Sequence, residues 1–249
     1  MLLMNRQLLV IVKKSLGCLS APLKALPVLL LLFSFIYCTN AGAQITDAQK
    51  EADYKEVVKG RAAKIVNTLG ITDSANYYSV LETITNQYIS LNKIHDQSKL
   101  AVAAIKQEKQ AEEADAAIKV EAEKKSSLLL QQHADFFAQL KGLLTEGQLE
   151  KVKDGMTYNV LNVTFAAYQD MILTLTDEQK KQIYTWLVEA REKAMDEGSS
   201  DDKHKMFGKY KGKINNYLSS QGYDMKAEEK AWQQRLREKR EKEAAVIKS

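Results

Sequence analysis

Beyond residue 44, apolar residues recur at intervals of three, four and seven, the signature of amphipathic helices. In the first such stripe they fall at Tyr54, Val57, Val58, Ala62, Ile65, Val66 and Leu69, so a helix is predicted from Thr46 or Asp47 to Gly70. A glycine there can adopt the left-handed conformation that ends a helix at low cost. Thr72 or Asp73 then caps a second stripe of Tyr77, Leu81, Ile84, Tyr88, Leu91 and Ile94. With no proline to break it, this helix is expected to run on to about Leu140. Its middle, residues 99–125, is alanine-rich and balanced in charge, with a thin heptad-like seam of Leu100, Ala104, Ala111, Ala114 and Ile118. The pattern suits a solvated arm packing against one neighbour, or the seam of a homodimer. From Leu128 to Leu144, with Phe136 and Phe137, a strong apolar face returns.

After that the predicted elements shorten. One helix spans Thr145 to Asp154 with Gly155 as its stop, and an ambiguous stretch carries Val160, Val163, Phe165, Tyr168, Met171 and Leu173. Another runs from Thr176 to Glu197 with Ile183, Leu187, Ala190 and Ala194 inward, and Gly198 ends it. A helix from about Asp201 to Gln221 stops at Gly222, and Asp224 caps a last, highly charged helix holding Trp232. No internal repeat and no linker interrupts the series. The expected fold is all-α: a single multi-helix domain with a long charged helical arm.

The first 43 residues have a different pattern. Arg6, Lys13, Lys14 and Lys24, both cysteines (Cys18, Cys38) and both prolines (Pro22, Pro27) lie there, and no acidic residue does. A basic start, the apolar stretch Ala25 to Tyr37 and the small residues Ala41-Gly42-Ala43 have the layout of a secretory signal peptide. Residues 1–43 are therefore expected to be removed, with cleavage near Ala43/Gln44, leaving 44–249 periplasmic or secreted. The apolar stretch is shorter than the roughly 20 residues a spanning helix needs. Lipidation at Cys38 is the rival processing route, disfavoured by the bulky Tyr37 before it. The formal charge of the whole chain is +4, all of it contributed by the leader's four cations, so the remainder is neutral and lacks cysteine and proline. That balance argues against a nucleic-acid binder, a disulfide scaffold and thiol or zinc-thiolate chemistry.

Candidate chemistry is sparse. Two segments read Leu-Thr-x-x-Gln, Leu144 to Gln148 and Leu175 to Gln179, and resemble the motif of small periplasmic stress chaperones. The same spacing is a capping box, in which threonine and glutamine each satisfy an orphan backbone donor at a helix start. Asp196 to His204 crowds carboxylates and a histidine around a helix joint, read as capping rather than as a metal loop. On the following helix Phe207, Tyr210, Ile214 and Tyr217 make an aromatic stripe beside Lys205, Lys209 and Lys213, with Lys211, Asn215 and Asn216 nearby. Core packing and a solvated lysine face explain such a pattern. The ligand reading is an acidic sugar, its apolar face on the aromatics and its hydroxyls and carboxylate held by lysine and amide groups. Arg191, His204, Lys209, Tyr210, Lys211, Asn215, Asn216 and Tyr217 are the candidate binding residues. No recognised nucleophile elbow, zinc motif or phosphate loop occurs, and His95, His133 and His204 lack ligand-like spacing, so no catalytic residue, metal or cofactor is expected.

Several C-terminal segments occur together: Lys153-Asp154-Gly155-Met156-Thr157-Tyr158, Tyr168-Gln169-Asp170-Met171, Trp186 to Asp196, Phe207 to Gly212, Ile214 to Leu218 and Gly222-Tyr223-Asp224. With Glu51 to Tyr54 and Ile65-Val66-Asn67, they resemble a family of exported Gram-negative proteins known as domain of unknown function 3826, over residues 47–235. The resemblance implies a sugar-binding role in bacteria that digest plant polysaccharides, and transfers no catalytic or binding residue. The expected function is thus a non-catalytic carbohydrate-binding or accessory protein of polysaccharide utilisation. The alternatives are a chaperone-like protein and a polysaccharide lyase or hydrolase without a motif. Expected partners are oligo- or polysaccharide, acidic sugars favoured, with no nucleic acid, no membrane after cleavage, and homodimerisation through the arm.

Overall fold

The computed structural model describes residues 47–247, and the expectations about the leader and Cys38 lie outside them. Eight helices follow one another: α1 (Asp47–Val66), α2 (Ser74–Glu108), α3 (Ala111–Lys141), α4 (Glu146–Met156), α5 (Val160–Met171), α6 (Asp177–Met195), α7 (Ser200–Ser220) and α8 (Met225–Ile247). No strand occurs among the described residues, and the chain is all-α. None of these helices is long and apolar enough to cross a membrane.

The long second helix does not run unbroken to Leu140. Lys109 and Gln110 turn extended, and the chain folds back as α3. Neither proline nor glycine marks the break. What favours it is burial: Ile84, Leu91, Phe136 and Leu140 are at most 2% exposed in one core, each worth about 1.5–3 kcal/mol. The register of the return is pinned by Asn76 donating to the Leu143 carbonyl at 2.9 Å and Gln132 donating to Gln87 Oε1 at 2.7 Å. Residues 99–125 are thus the tip of an antiparallel hairpin. Of the predicted seam Ala114 is buried, but Leu100 is 71% exposed and Ala104 is exposed too.

Side chains cap most helix starts. Asp73 accepts from Asn76 N, Ser199 from Asp202 N, and Asp224 from Lys226 N and Ala227 N. Both Leu-Thr-x-x-Gln segments form full capping boxes, Thr145 with Gln148 opening α4 and Thr176 with Gln179 opening α6. Their leucines are buried, and the two glutamines also bond outward, Gln148 to the Leu69 carbonyl and Gln179 to the Tyr223 hydroxyl.

Two of the predicted glycine stops are something else. Gly155 lies inside α4, where an added Cβ would fall 2.8 Å from Ile65 Cγ1; it lets α4 approach α1. A Cβ on Gly198 would meet the His95 ring at 2.8 Å. The chain after α4 instead turns through Tyr158 and Asn159, both left-handed at φ 58° and 57°. Gly70 and Gly222 do take positive φ, 68° and 95°.

Apolar side chains gather in two cores. The first joins α1, α2, α3 and α4 with Met195 of α6; the second joins α5, α6 and α7, with Met225 of α8 packed against it. Helix α6 therefore serves both cores, and polar side chains collect where it passes between them.

Candidate ligand groove

Helices α5, α7 and α8 enclose a groove of about 560 Å³. Thr164, Ala167, Tyr168 and Met171 of α5 form its floor, Lys211 and Asn215 of α7 one side, and Met225, Lys226, Glu229 and Trp232 of α8 the other. Tyr168 recurs with Leu161 and Thr164 on the inward face of α5 and is 6% exposed. Its hydroxyl donates to Asn215 Oδ1 at 2.7 Å, and burial pushes the phenol up to about 12, so it remains a neutral donor. Among the described residues the Asn215 amide N–H groups make no bond, and they can serve a ligand.

Helix α8 is held over α5 by two side chains one turn apart. Trp232 Nε1 donates to Asp170 Oδ2 at 2.6 Å, and Arg235 Nη2 donates to the carbonyls of Asp170 and Met171, each at 2.9 Å. Those carbonyls end α5 and lack helical partners, so a guanidinium completes them and meets the negative end of the helix dipole. Lys211, Lys226 and Glu229 are exposed and form no ion pair among the described residues. The groove thus offers an indole, two thioethers, a free amide, two ammonium groups and one carboxylate. Those groups can stack a ring, donate to hydroxyls and attract an anion.

Of the eight residues singled out on the sequence, the structure brings Lys211 and Asn215 together here. The others lie elsewhere. Tyr210 belongs to the second core at 8% exposure, its hydroxyl 2.8 Å from Lys193 Nζ. The Tyr210 hydroxyl and the Glu189 carboxylate hold the Lys193 ammonium above its ordinary range. Tyr217 packs edge-on against Trp186 at 5.2 Å between centroids, and Lys213 Nζ lies 4.6 Å above the indole. Lys209 and Asn216 are exposed on α7 outside the groove lining. His204 is exposed and stacks on Tyr158 at 5.6 Å and 27°.

Arg191 is 2% exposed, in the polar junction between the cores. It donates to Asp154 Oδ1 at 2.7 Å and also to Glu150 and Glu192. Burial alone would weaken its charge, but the Asp154 and Glu150 carboxylates more than offset that and raise its pKa. Two histidines far apart in sequence meet beside it: His95 Nε2 donates to the Asp196 carbonyl at 2.7 Å, while His133 Nδ1 lies 3.0 Å from the Asp196 carboxylate. The Asp196 hydrogen bond raises the His133 pKa against its partial burial. Lys203, 5% exposed, donates to the carbonyls of Ala194 and Met195 at 2.9 and 2.8 Å, and burial pushes its ammonium down to about 8. No group of three or more His, Cys, Asp or Glu side chains among the described residues could hold a metal ion.

Tyr168, Lys226, Glu229 and Trp232 also line the groove, and no sequence pattern singles them out as ligand residues. The available signal was Trp232 itself, a lone indole on a strongly charged helix. Its partner Asp170 is 62 residues away, so no local spacing connects them.

No curated protein matches this chain. A family model described as a protein of unknown function (DUF3826) matches residues 55–238, and with the all-helical fold it covers, the chain belongs to that family.

Proposed function

We propose that this is an exported, non-catalytic protein that binds carbohydrate in the groove between α5, α7 and α8 and serves polysaccharide utilisation. The observation that carries the reading is the composition of that groove: the Trp232 indole and the buried Tyr168 beside the free Asn215 amide and the unpaired Lys211 and Lys226. Sugars present apolar ring faces and dense hydroxyls, and an indole plus fixed donors matches both. Two ammonium groups against one carboxylate favour acidic sugars over neutral ones. The groove volume, about 560 Å³, lies in the range of small-molecule sites.

The test is a thermal-shift screen of neutral and uronic-acid oligosaccharides against the wild type, K211A and W232A. A ligand at 100 times its Kd stabilises by about 2.7 kcal/mol, which is roughly 5–11 °C for a domain of this size. Acidic oligomers are expected to shift the wild type and to lose most of that shift in both variants. A flat panel, or equal shifts in the wild type and both variants, would refute the reading.

A further inference from the structure

A second cavity, of about 470 Å³, lies where the α2–α3 hairpin meets the joint between α6 and α7. None of its lining residues borders the α5–α7–α8 groove. Close contact fixes its wall on the side of the joint. His95 Nε2 donates to the Asp196 carbonyl at 2.7 Å, and a Cβ on Gly198 would fall 2.8 Å from the His95 ring. Ser199, also in the lining, then caps α7, so the cavity borders the first turn of that helix, where backbone N–H groups lack helical partners.

Ser98 supplies the observation that points to a ligand. It lines the cavity and is 8% exposed, and its hydroxyl makes no hydrogen bond among the described residues. The Ser79, Thr83 and Thr85 hydroxyls of the same helix, by contrast, each donate to the carbonyl four residues back. A buried hydroxyl without a partner costs free energy that a bound acceptor restores. Two amines share the cavity with it. Exposed Lys99 of α2 and half-buried Lys125 of α3 reach it from facing helices, and neither forms an ion pair among the described residues. Two carboxylates line it as well, and both are already engaged. Asp202 Oδ2 accepts from the Ser199 hydroxyl at 2.6 Å and Oδ1 from Lys205 at 3.0 Å, while Asp96 Oδ2 accepts from the Asn92 amide at 2.9 Å. With Asp202 paired to Lys205, two ammonium groups face the single charge of Asp96.

The geometry points to a site for a tetrahedral oxyanion ester, phosphate or sulfate, held by the Lys99 and Lys125 ammonium groups and the Ser98 hydroxyl. Such an anion presents several acceptor oxygens around one centre, so it takes charged and neutral donors from separate helices at once. Its charge also offsets the repulsion between two ammonium groups brought to one cavity. A volume of about 470 Å³ lies in the range of small-molecule sites and exceeds what a bare ion fills. The remainder of the ester therefore occupies it too, and the Asp96 carboxylate and the Asn92 side-chain carbonyl can accept from hydroxyls there. The site shares no residue with the groove, so the two stand or fall separately.

The purified protein is titrated by calorimetry with glucose 6-phosphate, glucose 6-sulfate and uncharged glucose, alongside K99Q, K125Q, S98A and the groove variant K226A. At least one ester is expected to bind and glucose not to. K99Q and K125Q should each weaken that binding at least tenfold, about 1.4 kcal/mol, with K226A unchanged. Binding of the phosphate alone would identify a phosphate ester, and of the sulfate alone a sulfate ester. S98A should weaken binding severalfold yet keep or raise the melting temperature of the ligand-free protein, since alanine removes an unpartnered hydroxyl and favours the helix. A merely structural serine would lower the melting temperature and leave binding intact. Absence of ester binding by the wild type, equal binding of glucose, or undiminished binding by the folded lysine variants overturns the proposal. Loss of binding in K226A, with K99Q and K125Q intact, would overturn it as well by assigning the anion to the groove.

Discussion

Lys203 should give the protein a stability that rises in the alkaline range. Its ammonium is 5% exposed and held by two carbonyls at the end of α6. Burial pulls its pKa from 10.5 to about 8. Between those values the unfolded chain binds more protons than the folded one, so unfolding free energy increases with pH. Below pH 8 both states are protonated and the folded state bears the full cost of the buried charge. That cost is on the order of 3 kcal/mol. Integrated from pH 7, the relief is about 1 kcal/mol by pH 9 and about 2–3 kcal/mol by pH 10. Other groups titrate over the same range, so the informative quantity is the difference between the wild type and K203M, in which the other titrations cancel. Urea unfolding of both proteins at pH 7, 8, 9 and 10, followed by far-ultraviolet circular dichroism, measures it. The wild type is expected to gain on K203M by those amounts. A difference that stays constant within about 0.5 kcal/mol from pH 7 to 10 would refute the reasoning, showing that the ammonium is solvated as well in the folded state as in the unfolded one.

Three further outcomes follow from named contacts. G155A should destabilise by about 1–3 kcal/mol because its Cβ would enter Ile65, whereas G208A, in an open helical position, should stabilise by about 0.5–1 kcal/mol; melting temperatures of the two variants check the contrast. His133 has a raised pKa in the folded state, so its pairing with Asp196 is fully present below the ordinary imidazole pKa and is lost as pH rises through the raised value. H133N should therefore cost more stability at pH 5.5 than at pH 8, and equal losses would contradict this. R191M should cost about 2–4 kcal/mol in denaturant unfolding, since it strips Asp154 and Glu150 of a buried partner.

The helical fold and most helix starts were legible in the sequence because their causes are local. A stripe at 3.6-residue spacing buries one face wherever a neighbour is available, and Asp73, Thr145, Thr176 and Asp224 cap with side chains reaching only two or three residues on. Gly70 and Gly222 likewise act through their own backbone angles. What the sequence by itself determined was therefore the class, the helical periodicity and most of the caps. Its eight candidate ligand residues included two of the groove's, Lys211 and Asn215, because one exposed helix face carried both.

Tertiary structure decided the rest. The break at Lys109 and Gln110 has no turn residue behind it; it exists because folding back buries Ile84 and Leu91 in one core with Phe136 and Leu140. Gly155 and Gly198, which read as stops, are sites of close approach whose need for glycine lies in Ile65 and His95, 90 and 103 positions earlier in the chain. Arg191 on a helix surface looks the same whether it faces solvent or three carboxylates, and the packing of α6 against α4 chose the carboxylates. The groove depends on Trp232 reaching Asp170 and on Tyr168 reaching Asn215, pairings set by how three helices cross. Capping acts over a few residues along the chain, whereas burial and charge pairing act through space, and only the folded chain brings those partners together.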